Sequence, residues 1–249
     1  MSSKIRFMQA ADCCLDGWCS NRPLWKHCSS NSCSQYYDID YGSHSIIICH
    51  SDNHCPSYNS YAYLPENSFN TLVASGSDRI NLFVTPDGLK VPCGTNKAYI
   101  RFINLAYDEP CLDFRFSDGV LAIARNIKYQ ETTNYYPITA STYTMQVFRC
   151  GGSKPLLYTK SVTLKPDQSY TFYITGSIAN RSCYNYLLCI DACPKPICPS
   201  CPPVNHCPPI NPCPPCPPFN PCPPVCPTPL PCKNDYCSDN YYYHDCYYY

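Results

Sequence analysis

Charge is scarce in this chain of 249 residues: Asp, Glu, Lys and Arg make up 14% of it. The 18 basic residues balance the 18 acidic ones. No basic field therefore points to nucleic acid, and no acidic block marks a solvating tail. The opening residues MSSKIRFMQAADCCLDGW lack the apolar run of about 7–15 residues that follows a basic start in a secretory signal. No apolar run approaches the roughly 18 residues that a membrane-spanning helix needs. Capped helical periodicity beyond two turns is absent, which excludes an α-helical core. So are GxSxG, HExxH and P-loop patterns, which leaves no familiar catalytic framework.

What is abundant is unusual: 23 Cys, 27 Pro and 24 Tyr. Such cysteine density marks disulfide scaffolds or thiolate metal sites. Without an export signal, the expectation is a protein made in a reducing cytoplasm and oxidised later. A mother cell that assembles an endospore coat and then lyses provides those conditions. An extracellular cell surface is the alternative location.

Proline divides the chain. Eighteen of the 27 prolines fall in residues 192–232, and the first 191 residues hold nine. Residues 1–191 read as β structure. TYTMQVF (142–148) puts Tyr143, Met145 and Val147 on one face, and SYTFYITG (169–176) does the same with Tyr170, Phe172 and Ile174. SIIIC (45–49) and RINLFV (79–84) are short apolar runs, and PDG at 86–88 reads as a turn.

An internal repeat runs through this part. KIRFMQAADCCLD (4–16) echoes YIRFINLAYDEPCLD (99–113). SQYYDIDYGSHSIII (34–48) parallels TNYYPITASTYTMQV (133–147), and LPENSFNTLVASGS (64–77) parallels LKPDQSYTFYITGS (164–177). The order and spacing are kept, which implies tandem domains over 3–90 and 97–190.

The second copy resembles a known family, the domain of unknown function 4397, through AYIRFINLAYDEPCLDF (98–114), YYPITASTYTMQVF (135–148) and VTLKPDQSYTFYITG (162–176). Members have a small residue, usually Gly, before the central strand; the first copy keeps Gly42 and the second has Ser141. The resemblance implies a small Ig-like β-sandwich on bacterial cell surfaces, often in tandem, with no established catalytic residues. The cysteines and the missing signal peptide depart from typical members.

The arm at 191–232 has a period of three. Proline fixes φ and removes N–H donors, so its default is polyproline II, with three residues per turn and about 3.1 Å rise. Cys198, Cys201, Val204, Cys207, Ile210, Cys213, Cys216, Phe219, Cys222 and Val225 then share one face. Neighbours on that stripe are about 9.3 Å apart, whereas a disulfide needs Cα atoms about 4.4–6.8 Å apart. Adjacent stripe cysteines in a straight rod therefore cannot bond each other. Cys198, Cys201, Cys207, Cys213, Cys216, Cys222, Cys226 and Cys232 are candidates for inter-chain disulfides. The alternatives are a disordered low-complexity linker and a thiolate metal site, since Cys198–Cys201 and Cys213–Cys216 have Cys-x2-Cys spacing.

The first domain has its own cluster: Cys13, Cys14, Cys19, Cys28, Cys33, Cys49 and Cys55, with His27, His44, His50 and His54. CHSDNHC (49–55) is the nearest approach to a metal motif, but its Ser, Asp and Asn mark a loop. Disulfides inside that domain are the expectation, with no pairing fixed by spacing. An odd total of 23 leaves at least one cysteine to stay free or pair outside the chain if no metal is bound. Asp16 and Asp113 recur at equivalent repeat positions and read as structural groups at a strand end. The tip at 233–249 offers Tyr241, Tyr242, Tyr243, Tyr247, Tyr248 and Tyr249 for oxidative coupling or adhesion.

The expected fold is all-β: two tandem small sandwiches, a Cys/Pro-rich extended arm and a Tyr-rich tip. The expected role is non-enzymatic: a structural subunit of a self-assembling, disulfide-cross-linked spore coat, exosporium or appendage. No catalytic residue, resident metal, cofactor, nucleic acid or membrane span is expected, and the partners are further copies of the chain and other coat proteins. The alternatives are a surface ligand-binding or adhesion module and a Cys-rich metal-binding protein. Reductant separates them: it loosens an assembly, spares a binding module and frees metal from a thiolate protein.

Overall fold

Short β-branched and aromatic runs separated by turn residues cannot bury one face as helices, and the computed structural model resolves them into strands. The structure describes residues 2–52, 57–77, 79–89, 94–117, 122–177 and 182–192, and no helix occurs among them. The described residues are all-β, as the alternation requires. The cysteine candidates at 55 and 198–232 and the tyrosines of the tip lie outside the described residues.

The first half supplies β1 (Ser2–Ala11), β2 (Leu15–Cys19), β3 (Arg22–Cys28), β4 (Ser32–Cys33), β5 (Tyr37–Asp40), β6 (Gly42–His50), β7 (Ser57–Leu64), β8 (Phe69–Gly76) and β9 (Asn81–Asp87). One sheet has the order β4-β1-β8-β9, with β5 also on β1; the other runs β3-β2-β6-β7. The β2–β3 hairpin turns on Ser20 and Asn21, both at positive φ (47° and 65°), as a tight primed turn demands.

The second half supplies β10 (Lys97–Asn104), β11 (Cys111–Phe116), β12 (Ala122–Lys128), β13 (Tyr136–Thr139), β14 (Ser141–Tyr143), β15 (Met145–Arg149), β16 (Pro155–Tyr158), β17 (Val162–Leu164), β18 (Ser169–Ser177) and β19 (Ser182–Asp191). Its sheets are β13-β10-β18-β19 and β12-β11-β15-β16, with a ribbon β14-β17. Both halves place their first strand parallel to the strand that precedes their last: β1 with β8 and β10 with β18.

Each half packs its two sheets around an apolar centre. Ile5, Phe7, Leu72 and Ala74 meet Leu15, Trp25, Ile46 and Ile48 in the first. Ile100, Phe102, Phe172 and Ile174 meet Leu112, Phe114, Met145 and Val147 in the second. Each large side chain buried this way contributes about 1.5–3 kcal/mol. The alternating face expected at 142–148 is there, split between β14 and β15, with Tyr143 packed at its edge.

The alternation fails in four strands. β1, β8, β10 and β18 are buried on both faces. Their second faces build a third cluster from both halves: Met8, Ala10, Cys33 and Val73 with Ile103, Leu105, Tyr173 and Cys189. The two repeats therefore share a packed seam. At residues 86–88 the structure departs from the expected turn, because β9 begins at Asn81 and runs through Asp87. The ladder accommodates Pro86 because β9 lies at a sheet edge, where proline's missing donor faces no partner strand.

Candidate functional site

The seam holds the densest chemistry among the described residues. Arg6 on β1 donates to Asp191 at the end of β19, while Arg101 on β10 donates to Asp87 at the end of β9. The contacts are reciprocal, as a two-fold axis relating the repeats would make them. Arg6 Nε donates to Thr71 at 2.8 Å and Arg101 Nε to Thr171 at 2.7 Å. Arg6 Nη1 reaches the Ile190 carbonyl at 2.9 Å, and Arg101 Nη1 reaches that of Pro86 at 2.7 Å. Tyr36 donates to Asp87 at 2.8 Å and Tyr135 to Asp191 at 2.7 Å. Each ring also lies 4.8 Å beneath its repeat's guanidinium.

All four charged side chains are almost wholly buried, at 3% exposure for each Arg and 0% for each Asp. Burial of unpaired ions is prohibitive, but here every carboxylate oxygen has a donor. Burial alone lowers the pKa of a guanidinium; Cys33 and Asp87 around Arg6, and Asp191 and Tyr135 around Arg101, outweigh it and hold both above their usual value. Burial pushes the Tyr36 and Tyr135 hydroxyls up, so they remain donors. Tyr173, wholly buried in the same seam, has a hydroxyl with no hydrogen-bond partner among the described residues.

Beside this network lie two thiols from different repeats. Cys33 ends β4, opposite Met8, and Cys189 stands on β19 opposite Thr171. Both belong to the buried cluster of the seam and are only 7% and 8% exposed. The neighbouring Cys189, opposed by burial and aided by Arg6, draws the Cys33 thiol down. The neighbouring Cys33 and burial push Cys189 well up.

The other first-repeat cysteines divide between the ends of the second sheet. Cys28 faces Leu15 across the β2–β3 ladder, Cys49 faces Asp16 on β6, and Cys13 and Cys14 immediately precede β2. Cys19, at the far end, is buried against Ile46 and the first core. Burial drives Cys19 up to about 11, and burial with Asp16 and Cys14 nearby does the same for Cys28. Cys13 is raised by burial and by Asp12. Cys14 is exposed.

The sole disulfide among the described residues joins Cys111 to Cys150, with Cα atoms 5.7 Å apart. It clips β11 to the end of β15, and it was not among the sequence candidates. Repeat alignment carries half of the signal, because Cys14 occupies the place of Cys111. Its other half is lost: Ser51 N bonds the Cys14 carbonyl as Cys150 N bonds that of Cys111, so Ser51 stands where a second thiol would.

Asp16 is the second residue of β2 and Asp113 the third of β11. Asp16 accepts from His27 N at 2.7 Å and Ser51 Oγ at 2.8 Å; Asp113 accepts from Asn126 N at 2.8 Å. His44 bridges the Ser20 hydroxyl at 2.9 Å and the Asp40 carbonyl at 2.8 Å. No three His, Cys, Asp or Glu among the described residues gather closely enough to hold a metal ion. No helix among them is long and apolar enough to cross a membrane.

Residues 116–191 match the family described as domain of unknown function (DUF4397). Over those residues the second repeat is similar to that family. The match begins at the last residue of β11, so it holds the 135–148 and 162–176 stretches while 98–114 lies upstream of it. In this DUF4397 segment fall Asp191, Tyr135, Cys150 and Cys189, but not Arg101 or Cys111. No curated protein matches the sequence. Among solved structures, a family 26 carbohydrate-binding module of Eubacterium rectale Amy13K, in complex with maltoheptaose, is 10% identical with a TM-score of 0.26. That alignment covers 78% of this chain and 99% of the module. An α-glucan-binding streptococcal virulence factor is 9% identical with a TM-score of 0.21, covering 69% of this chain and 92% of its own. Scores of that size carry no argument about ligand.

Proposed function

We propose that the chain is a non-catalytic structural subunit of a self-assembling, disulfide-cross-linked bacterial surface structure, of the spore coat, exosporium or appendage kind. The observation that carries the reading is Cys14. It is an exposed thiol at the position where the second repeat closes its disulfide, and the residue facing it, Ser51, cannot close one. An exposed thiol on a rigid two-repeat body is suited to bonding another chain, and the arm at 191–232 supplies more cysteines for the same use. The outer strands β3 and β7 end their sheet with ladder groups open on one side, which favours edge-to-edge packing.

Non-reducing electrophoresis and electron microscopy before and after dithiothreitol test the reading. Polymers that dissolve with reductant are the expected result, weakened in Cys14→Ser. A monomer under both conditions overturns it.

One observation favours a second reading, a surface ligand-binding or adhesion module. Tyr61 and Tyr63 point outward from β7 at 85% and 67% exposure, and Tyr41 stands 52% exposed at the start of β6. Exposed rings two residues apart on a strand share one face and offer flat surfaces to a sugar or an apolar partner. Binding of soluble polysaccharides that persists in reductant and is lost in Tyr61→Ala/Tyr63→Ala would select this reading over the first.

A further inference from the structure

Among the described residues, Cys33 and Cys189 are thiols of different repeats that share the buried cluster of the seam. Each is held in place by backbone that has little freedom. Cys33 is fixed through its ladder to Met8, next but one to Arg6. Cys189 is fixed through its ladder to Thr171 and lies two residues before Asp191, the partner of Arg6. The ion network therefore clamps both backbones at the place where the sulfurs meet. The register identifies the equivalent contact on the other side of the seam. Thr132 bridges Ile103 as Cys33 pairs Met8, and Thr85 pairs Thr71 as Cys189 pairs Thr171. The related positions are both threonine, so the chain has thiols at one of two symmetry-related contacts, and has them there on both partners.

We propose that Cys33 and Cys189 are a disulfide site that bonds the two repeats to each other across the seam, formed when a peroxide takes two electrons from the pair. Cys33 sulfur attacks one peroxide oxygen; the O–O bond breaks, and the departing hydroxide takes a proton as water. The sulfenic acid left on Cys33 is then attacked by Cys189 sulfur. The S–O bond breaks, the S–S bond forms, and the hydroxyl leaves with the Cys189 proton as a second water. Two thiols and one hydrogen peroxide give one disulfide and two waters. Hydrogen peroxide suits a pair this buried because it is scarcely larger than water. Packing in one buried cluster places the second thiol near the first before either is oxidised, as an intramolecular step requires.

The bond has a different consequence from the proposed cross-links between chains, since it joins parts of one chain. It fixes the body that those cross-links connect.

The test uses the full chain, purified with reductant, freed of it and treated with hydrogen peroxide. Remaining thiols are blocked with N-ethylmaleimide, and the protein is digested unreduced for mass spectrometry. The expected result is a peptide pair joining Cys33 to Cys189, recovered from the band that migrates as monomer and lost in Cys189→Ala. Recovery of both residues alkylated, or of each bonded to some other cysteine, overturns the proposal. The wild-type digest decides the matter even if Cys189→Ala does not fold. Absence of polymers in the same gel would count against the assembly reading alone.

Discussion

Arg6, in the first strand, donates to Asp191, the last residue of the last strand, and both side chains are buried. The ends of the two-repeat body are thereby tied to each other, with Arg101 and Asp87 completing the reciprocal pair. Removing one member strands the others as buried charge. Asp191→Ala or Asp87→Ala is expected to cost about 3–5 kcal/mol, read as a fall in the urea midpoint. A double change to apolar residues of similar volume, Arg6→Met/Asp191→Leu, should cost less than the single change.

The Cys111–Cys150 bond closes a loop of sequence separation 39. Cys150→Ala in the oxidised protein is expected to lower stability by about 2–4 kcal/mol, the usual effect of such a link on the unfolded chain. Calorimetry of the two proteins side by side checks it, and an unchanged melting temperature would contradict it.

Gly17 has no room for a side chain. A Cβ there would lie 2.6 Å from both Ile48 Cδ1 and Trp25 Cε3. Gly17→Ala is expected to force Trp25 out of its packing against Phe7, whose ring centroid is 5.2 Å away, at about 1–3 kcal/mol. Tryptophan fluorescence and a denaturation midpoint report both effects.

Thiol titration gives a pH dependence of definite sign. Cys19 and Cys28 ionise at about 11 in the folded protein against an ordinary 9.0. The folded state holds those protons more tightly, so their contribution is complete below pH 9.0 and is lost as pH rises towards 11. Urea midpoints of the reduced protein should fall across that window. Cys14, which is exposed, should react with iodoacetamide well before Cys19.

Legibility in the sequence followed periodicity. Tyr170, Phe172 and Ile174 were readable as one face because a strand alternates, and they do line the second core. Tyr173, between two of them, carried no such signal: it is buried by the other repeat, not by its own sheet. Asp87 was read as part of a turn because Pro-Asp-Gly is turn chemistry; the edge position of β9 and the guanidinium of Arg101 make it a ladder residue and an ion partner instead. Cys33 was grouped with its sequence neighbours, whereas the seam puts it against Cys189.

Composition and alternation by themselves determined that the chain is all-β and repeats itself, because local side-chain spacing dictates which face of a strand is apolar. They also marked cysteine as its main chemistry. Tertiary structure alone decided that the repeats share a core, that Arg6 belongs with Asp191 and Arg101 with Asp87, and that Cys33 meets Cys189. These pairings join residues of different repeats, as much as 185 positions apart in the chain. No local pattern encodes them, since they arise only when two sheets bury their second faces against each other and leave each charge the other repeat's carboxylate as its partner.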